Sequence, residues 1–114
     1  YVKVAIASET KGTNNTTIGR ALYFSRSVIP YLRGVEQNEW LLQGKHFRHI
    51  GMYAYRADVL QQITHLPPSS LEKIESLEQL RWLENGFTIR VALTHHASIG
   101  IDTPEDLQLA ISKL

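Results

Sequence analysis

At 114 residues, with 43% hydrophobic side chains and a net charge of +1, the chain is one domain or part of one, with material for a modest core. Acidic and basic residues are interspersed, so no basic tract exists to follow a phosphate backbone, and nucleic acid is not an expected partner. The absence of cysteine excludes a disulfide framework and thiolate zinc sites, and no apolar run approaches the roughly 18 residues of a membrane helix. No signal peptide opens the chain, and a cytoplasmic location without membrane contact is the expectation. Tyr1-Val2-Lys3-Val4 reads as a strand already under way, so the chain is expected to begin inside a longer protein.

Val2 to Ala7 reads as a short buried strand. Ser8 to Gly19 is polar, rich in Thr, Asn and Gly, and without periodicity, which predicts a mobile loop. Ala21 to Phe24 can form another strand, Pro30 imposes a turn, and Gly34 to Gly44 reads as a surface connection. Phe47 to Tyr55 is the strongest predicted strand. Its alternation puts Phe47, His49, Gly51, Tyr53 and Tyr55 on one face. Ala57 to Leu66 fits a short helix ending before Pro67-Pro68. Ser69 followed by Glu72 is a capping-box signal for the longest predicted helix, which runs to about Asn85 with Gly86 as its stop. Leu71, Ile74, Leu77, Leu80 and Leu83 give that helix a buried stripe. Phe87 to Ala92 alternates as a strand. Thr103 then caps a last helix, with Pro104 at its first position and Leu107, Ala110, Ile111 and Leu114 as its apolar face. Strand and helix alternate, which predicts an α/β layered sheet with flanking helices.

Several polar residues have an ordinary structural explanation. Asp102 precedes a helix, where the dipole favours a carboxylate. Glu75, Glu78 and Gln79 share one face of a continuous helix and could be a solvated surface. His49 could be a packed core histidine and Arg26 a surface charge. His95 and His96 are adjacent and point apart, which does not suit one metal ion. No phosphate-binding glycine loop, zinc-protease helix or nucleophile elbow is present.

Four blocks change the weight of these readings: Ala21-Leu22-Tyr23-Phe24-Ser25-Arg26-Ser27, His49-Ile50-Gly51-Met52-Tyr53-Ala54-Tyr55-Arg56, Leu77-Glu78-Gln79-Leu80-Arg81, and Gly100-Ile101-Asp102-Thr103-Pro104-Glu105-Asp106-Leu107. In this order and spacing they resemble the C-terminal half of the CMP-Kdo synthetases, the 3-deoxy-manno-octulosonate (Kdo) cytidylyltransferases. The resemblance runs from Val2 to the end of the chain. The stretch from Ser8 to Gly19 departs from it, being longer than the family's usual connection.

The resemblance implies a Rossmann-like, nucleotide-diphospho-sugar-transferase-like fold. Residues 1–114 would be its C-terminal, sugar-binding and dimerisation portion, with the nucleotide-binding N-terminal half absent. It implies CTP and Kdo as substrates, CMP transfer with release of pyrophosphate, Mg²⁺ as the metal, a homodimer, and a place in lipopolysaccharide assembly. Asp102 would be the catalytic and metal-binding carboxylate, paired with a second Asp from the other half. Arg26, His49, Tyr53, Glu75, Glu78 and Gln79 would bind the sugar acid. The 114-residue chain alone is expected to be inactive. Two alternatives stand beside this reading: a cytidylyltransferase for another sugar acid, such as sialic acid, and a non-catalytic sugar-binding or dimerisation remnant.

Overall fold

The structure is a computed structural model that describes residues 1–96 and 102–114. The chain adopts the expected α/β class. Its centre is a hairpin of two nine-residue strands, β1 (Lys3–Lys11) and β2 (Thr17–Ser25). Two short strands complete the sheet, β3 (Phe47–Arg48) beside β1 and β4 (Arg90–Ala92) beside β2, in the order β3-β1-β2-β4. Every pairing among these strands is antiparallel.

The predicted loop from Ser8 to Gly19 is instead the tip of this hairpin. Thr10 pairs with Ile18 and Lys11 with Thr17. Gly12 N–H donates to Thr16 O at 2.6 Å, and Asn14 and Asn15 turn the chain in left-handed conformations (φ 59° and 61°). The segment lacks apolar alternation, but its β-branched Thr and Ile residues suit a strand and Asn tolerates the left-handed turn. Gly19 is required by close packing: a Cβ there would lie 2.2 Å from the Ile6 Cγ2 methyl.

The predicted strand from Phe47 to Tyr55 is mostly not a strand. Only Phe47 and Arg48 join the sheet, extended by one bond from His49 N–H to Val2 O at 2.8 Å. Gly51 then takes φ +84°, which ends the alternation and bends the chain away from β1. The helix expected from Ser69 to Asn85 is broken in two, α2 (Ser70–Glu75) and α3 (Gln79–Glu84). Ser76 at the junction is left-handed (φ 56°, ψ 48°). The kink lets Leu77 and Leu80 enter the core together while Ile74, predicted in the same stripe, is 77% exposed. Gly86 stops α3 as expected: its N–H bonds Leu83 O and the N–H of Phe87 bonds Trp82 O.

Val4, Ala21, Phe24, Leu77 and Leu80 form the core between the sheet and the α2–α3 pair, with Val2, Ile6, Phe47, Leu83, Ile89 and Val91 packed around them. α1 (Ala57–Ile63) contributes a buried Ile63. In the connection before β3, Trp40 is buried and its indole N–H bonds Val35 O at 2.9 Å. The last helix, α4 (Pro104–Ser112), forms as predicted behind its Thr103 cap, but none of its residues is buried.

Candidate functional site

Residues singled out in the sequence form two groups at the end of β2, the segment after β3 and the α2–α3 junction: His49 with Tyr53, beside Glu78, and Arg26 with Glu75. The hydroxyl of Tyr53 lies 2.7 Å from Nε2 of His49. In a straight strand, residues four apart are ~13 Å apart; the bend at Gly51 brings these two together. Phe24, in the core, meets the His49 ring edge-on at 5.1 Å, so the floor of the sheet fixes the imidazole. Tyr53 and Tyr55 stack at 6.1 Å, and the buried Trp82 of α3 meets both edge-on at 5.3 and 5.6 Å. Trp82 did not figure among the predicted site residues. Its signal in the sequence was a large aromatic directly after the Leu77–Arg81 block.

The protonation states follow from this packing. Burial lowers the His49 pKa below its usual 6.5, so the imidazole is neutral at neutral pH. Burial, with smaller contributions from Tyr55 and the Glu78 carboxylate, pushes the Tyr53 hydroxyl up to about 12. Tyr55 is raised for the same two reasons, burial and then Glu78. A neutral imidazole and a protonated phenol sharing one bond keep further hydrogen-bonding capacity for a polar ligand, with Glu78 beside them as a charged acceptor.

Arg26, just beyond β2, reaches the C-terminal end of α2. Its Nε donates to Glu75 O at 2.7 Å and its Nη2 to Ser76 O at 2.9 Å. The guanidinium thus satisfies carbonyls orphaned where the helix stops and holds the left-handed Ser76. Two of the five guanidinium N–H donors are used in this way, which leaves three for a ligand. The Glu75 carboxylate lies over this clamp and beside Tyr23, whose hydroxyl pKa is raised by burial first and by Glu75 next. The predicted common helix face of Glu75, Glu78 and Gln79 does not exist, because the junction rotates Glu75 away from the other two. Gln79 is buried, at 6% exposure, whereas Glu78 is exposed.

The α2–α3 pair is locked by Arg81. Its Nε and Nη2 grip both oxygens of Glu72, and its Nη1 donates to Leu66 O at 3.2 Å. Glu72 also accepts Ser69 N–H at 2.9 Å, the capping-box bond read from the sequence. The Arg81 hydrogen bonds, then the Ser69 N–H, hold the Glu72 carboxyl at a pKa of about 2 against an ordinary 4.5. The folded state therefore binds fewer protons than the unfolded state between these values. Its stabilising effect is complete above about pH 4.5 and is lost as the pH falls toward about 2. Denaturant midpoints measured from pH 6 downward should fall over this window, and Glu72→Gln should flatten that segment of the profile. An unchanged profile in the variant would remove Glu72 as its source.

Asp102 stands apart from this cluster. It is exposed, and its N–H donates to Asp106 Oδ2 at 3.1 Å within the α4 cap. Thr103 and Asp106 complete a reciprocal cap: Asp106 N–H to Thr103 Oγ1 at 3.1 Å and Thr103 N–H to Asp106 Oδ2 at 3.2 Å. Gly100 and Ile101 of the same motif lie outside the described residues. Among the described residues no three His, Asp or Glu side chains converge as a metal site. Asp102 offers a hard carboxylate oxygen of the kind Mg²⁺ takes, together with oxygens from elsewhere.

A family model described as cytidylyltransferase matches residues 2–91, and the chain belongs to that family. Relatives named 3-deoxy-manno-octulosonate cytidylyltransferase include one from Parabacteroides distasonis, 60% identical over 94 residues, covering 82% of this chain and 38% of the relative. Another, from Phocaeicola vulgatus, is 63% identical over 90 residues, covering 79% and 36%. A third, from Lawsonia intracellularis, is 48% identical over 108 residues, covering 95% and 37%. A solved structure of CMP:2-keto-3-deoxy-manno-octonic acid synthetase complexed with CTP superposes with a TM-score of 0.65 at 41% identity, covering 99% of this chain and 42% of that one. The chain thus spans less than two fifths of the length of these curated relatives.

Proposed function

We propose that this chain forms the sugar-acid side of a CMP-Kdo synthetase, an enzyme that transfers CMP from CTP to Kdo and releases pyrophosphate for lipopolysaccharide assembly. The observation that carries this reading is the His49–Tyr53 pair, set against the Tyr55–Trp82 aromatics with Glu78 beside it, and the Arg26 clamp on the α2–α3 junction at Glu75, in a chain 60% identical over 94 residues to a protein of that name. A sugar acid presents one carboxylate and many hydroxyls. The remaining Arg26 donors suit the carboxylate, and the neutral His49–Tyr53 pair with the Glu78 carboxylate suits the hydroxyls. Held there, the sugar presents its anomeric hydroxyl to the α-phosphorus of CTP, and pyrophosphate leaves. The residues of this chain act by orienting the sugar. Asp102 would hold Mg²⁺ through its carboxylate, and the metal would supply charge neutralisation at the phosphate. The nucleotide site and the remaining metal oxygens would come from the part of the enzyme outside these 114 residues, so the chain alone should not transfer CMP.

In the full-length enzyme, Glu78→Ala should raise the KM for Kdo while leaving that for CTP nearly unchanged. Gln79→Ala should do the same, by loosening the start of α3, where Gln79 is buried. Steady-state kinetics with each substrate varied is the test. An equal rise in both KM values, or neither, would overturn the assignment of this cluster to the sugar.

The same reading includes a homodimer. Leu41, Leu42, Met52 and Ile74 are between 77% and 88% exposed, and apolar surface of this kind is ordinarily covered by a partner or by further chain. Sedimentation of the full-length enzyme at micromolar concentration should give twice the subunit mass. A monomer there would end the dimer reading.

A further inference from the structure

Ala21, Ile89 and Val91 face the core, so Arg20, Leu22 and Arg90 alternate to the opposite face of the sheet. Arg20 and Arg90 stand directly opposite one another in the β2–β4 pairing. Ala21 N–H donates to Ile89 O at 2.8 Å and Leu93 N–H to Thr17 O at 2.9 Å. By the alternation of an antiparallel ladder, the Arg20–Arg90 pair falls between hydrogen-bonded positions, where Cα atoms approach to about 4.5 Å and side chains are closest. Like charges placed there repel. Among the described residues neither guanidinium has a carboxylate partner: the ion pairs are Lys45–Glu9, Arg56–Asp58 and Arg81–Glu72. Glu9, an acid on the neighbouring strand, is engaged by Lys45 at 3.2 Å. The two arginines instead line a cleft of about 320 Å³ with Thr10, Thr88 and Gly19.

We propose that this cleft binds a phosphate group. Two guanidinium forks and two threonine hydroxyls supply more donors than a planar carboxylate can use. A tetrahedral dianion has oxygens for both forks and for a hydroxyl, and its charge offsets the repulsion between the arginines. None of the lining residues belongs to the sugar cluster, and the site does not depend on the function proposed above. Inorganic phosphate, pyrophosphate and the polyphosphate of a nucleotide share this chemistry.

The test is binding and thermal stability of the protein with inorganic phosphate, at ionic strength held constant with chloride. Phosphate should bind saturably and raise Tm, while acetate should not. Arg20→Gln and Arg90→Gln should each weaken phosphate binding about tenfold, as expected for losing one charge-assisted partner. Without phosphate and at low salt, the same substitutions should raise Tm, because the repulsion is relieved; in saturating phosphate they should lower it relative to the parent. This reversal of sign is not expected of a surface residue with only a structural role. Both positions are exposed, so the variants should fold, and Arg20→Lys, keeping the charge without the fork, should fall between. Pyrophosphate and CTP titrated in parallel identify the source: the ligand whose affinity drops most in Arg20→Gln is the one recognised. A phosphate effect equal to that of chloride, or binding unchanged in both Gln variants, would overturn the proposal.

Discussion

Asp102→Asn in the full-length enzyme is expected to lower kcat on the order of 10²-fold or more, with a much smaller change in the KM for Kdo. The substitution preserves side-chain size. It also leaves in place the backbone bond from residue 102 to Asp106 Oδ2 and the reciprocal Thr103–Asp106 cap, so α4 should start where it does now. What it removes is the negative charge. If that charge helps hold Mg²⁺ against the reacting phosphate, its loss is felt mainly where charge develops, and so appears in kcat. Asp102 also makes its hydrogen bonds within the α4 cap and not with the His49–Tyr53 pair proposed above to bind the sugar, which is why sugar affinity should be spared. Initial rates with Kdo and CTP varied at several Mg²⁺ concentrations provide the measurement. Near-normal kcat at saturating Mg²⁺ would return Asp102 to the role of a residue that simply precedes a helix.

Phe24→Ala is expected to destabilise the folded protein by about 3–5 kcal/mol, the range for truncating a buried aromatic. Phe24 is 1% exposed, at the centre of the cluster formed with Val4, Ala21, Leu77 and Leu80, and its backbone is held in the ladder opposite Val4 of β1, which limits collapse into the space. The same ring supports His49 edge-on at 5.1 Å. The variant should therefore also raise the KM for Kdo, because a loosened imidazole positions Tyr53 less well. Phe24→Leu, which keeps most of the volume and loses the edge-on contact, should recover stability more fully than sugar affinity. Denaturant titration and kinetics on the two variants separate the effects. A loss below about 1 kcal/mol in Phe24→Ala would show that the core is not organised around this ring.

The amino-acid sequence by itself determined the strands on either side of the hairpin tip, the N-terminal caps of α2 and α4 and the stop of α3. These rest on local chemistry. Thr103 with Asp106 and Ser69 with Glu72 cap wherever a helix starts, Gly86 stops one by its φ of +84°, and the Leu77–Arg81 block carries its apolar and polar residues in fixed order. Tertiary structure decided where the regular elements break. Nothing local distinguishes Ser76 from its neighbours as a left-handed residue; the kink exists because Leu77 and Leu80 must both reach the core and because Arg26, about fifty positions earlier, donates to the carbonyls that the break exposes. The alternation from Phe47 to Tyr55 is real, but strand character needs a paired neighbour, and β1 pairs only with its first two residues before Gly51 turns the chain. That turn brings the His49 and Tyr53 side chains into contact. There the two rings meet Phe24 and Trp82 edge-on, contacts that favour the bend in place of the few ladder bonds of a longer strand.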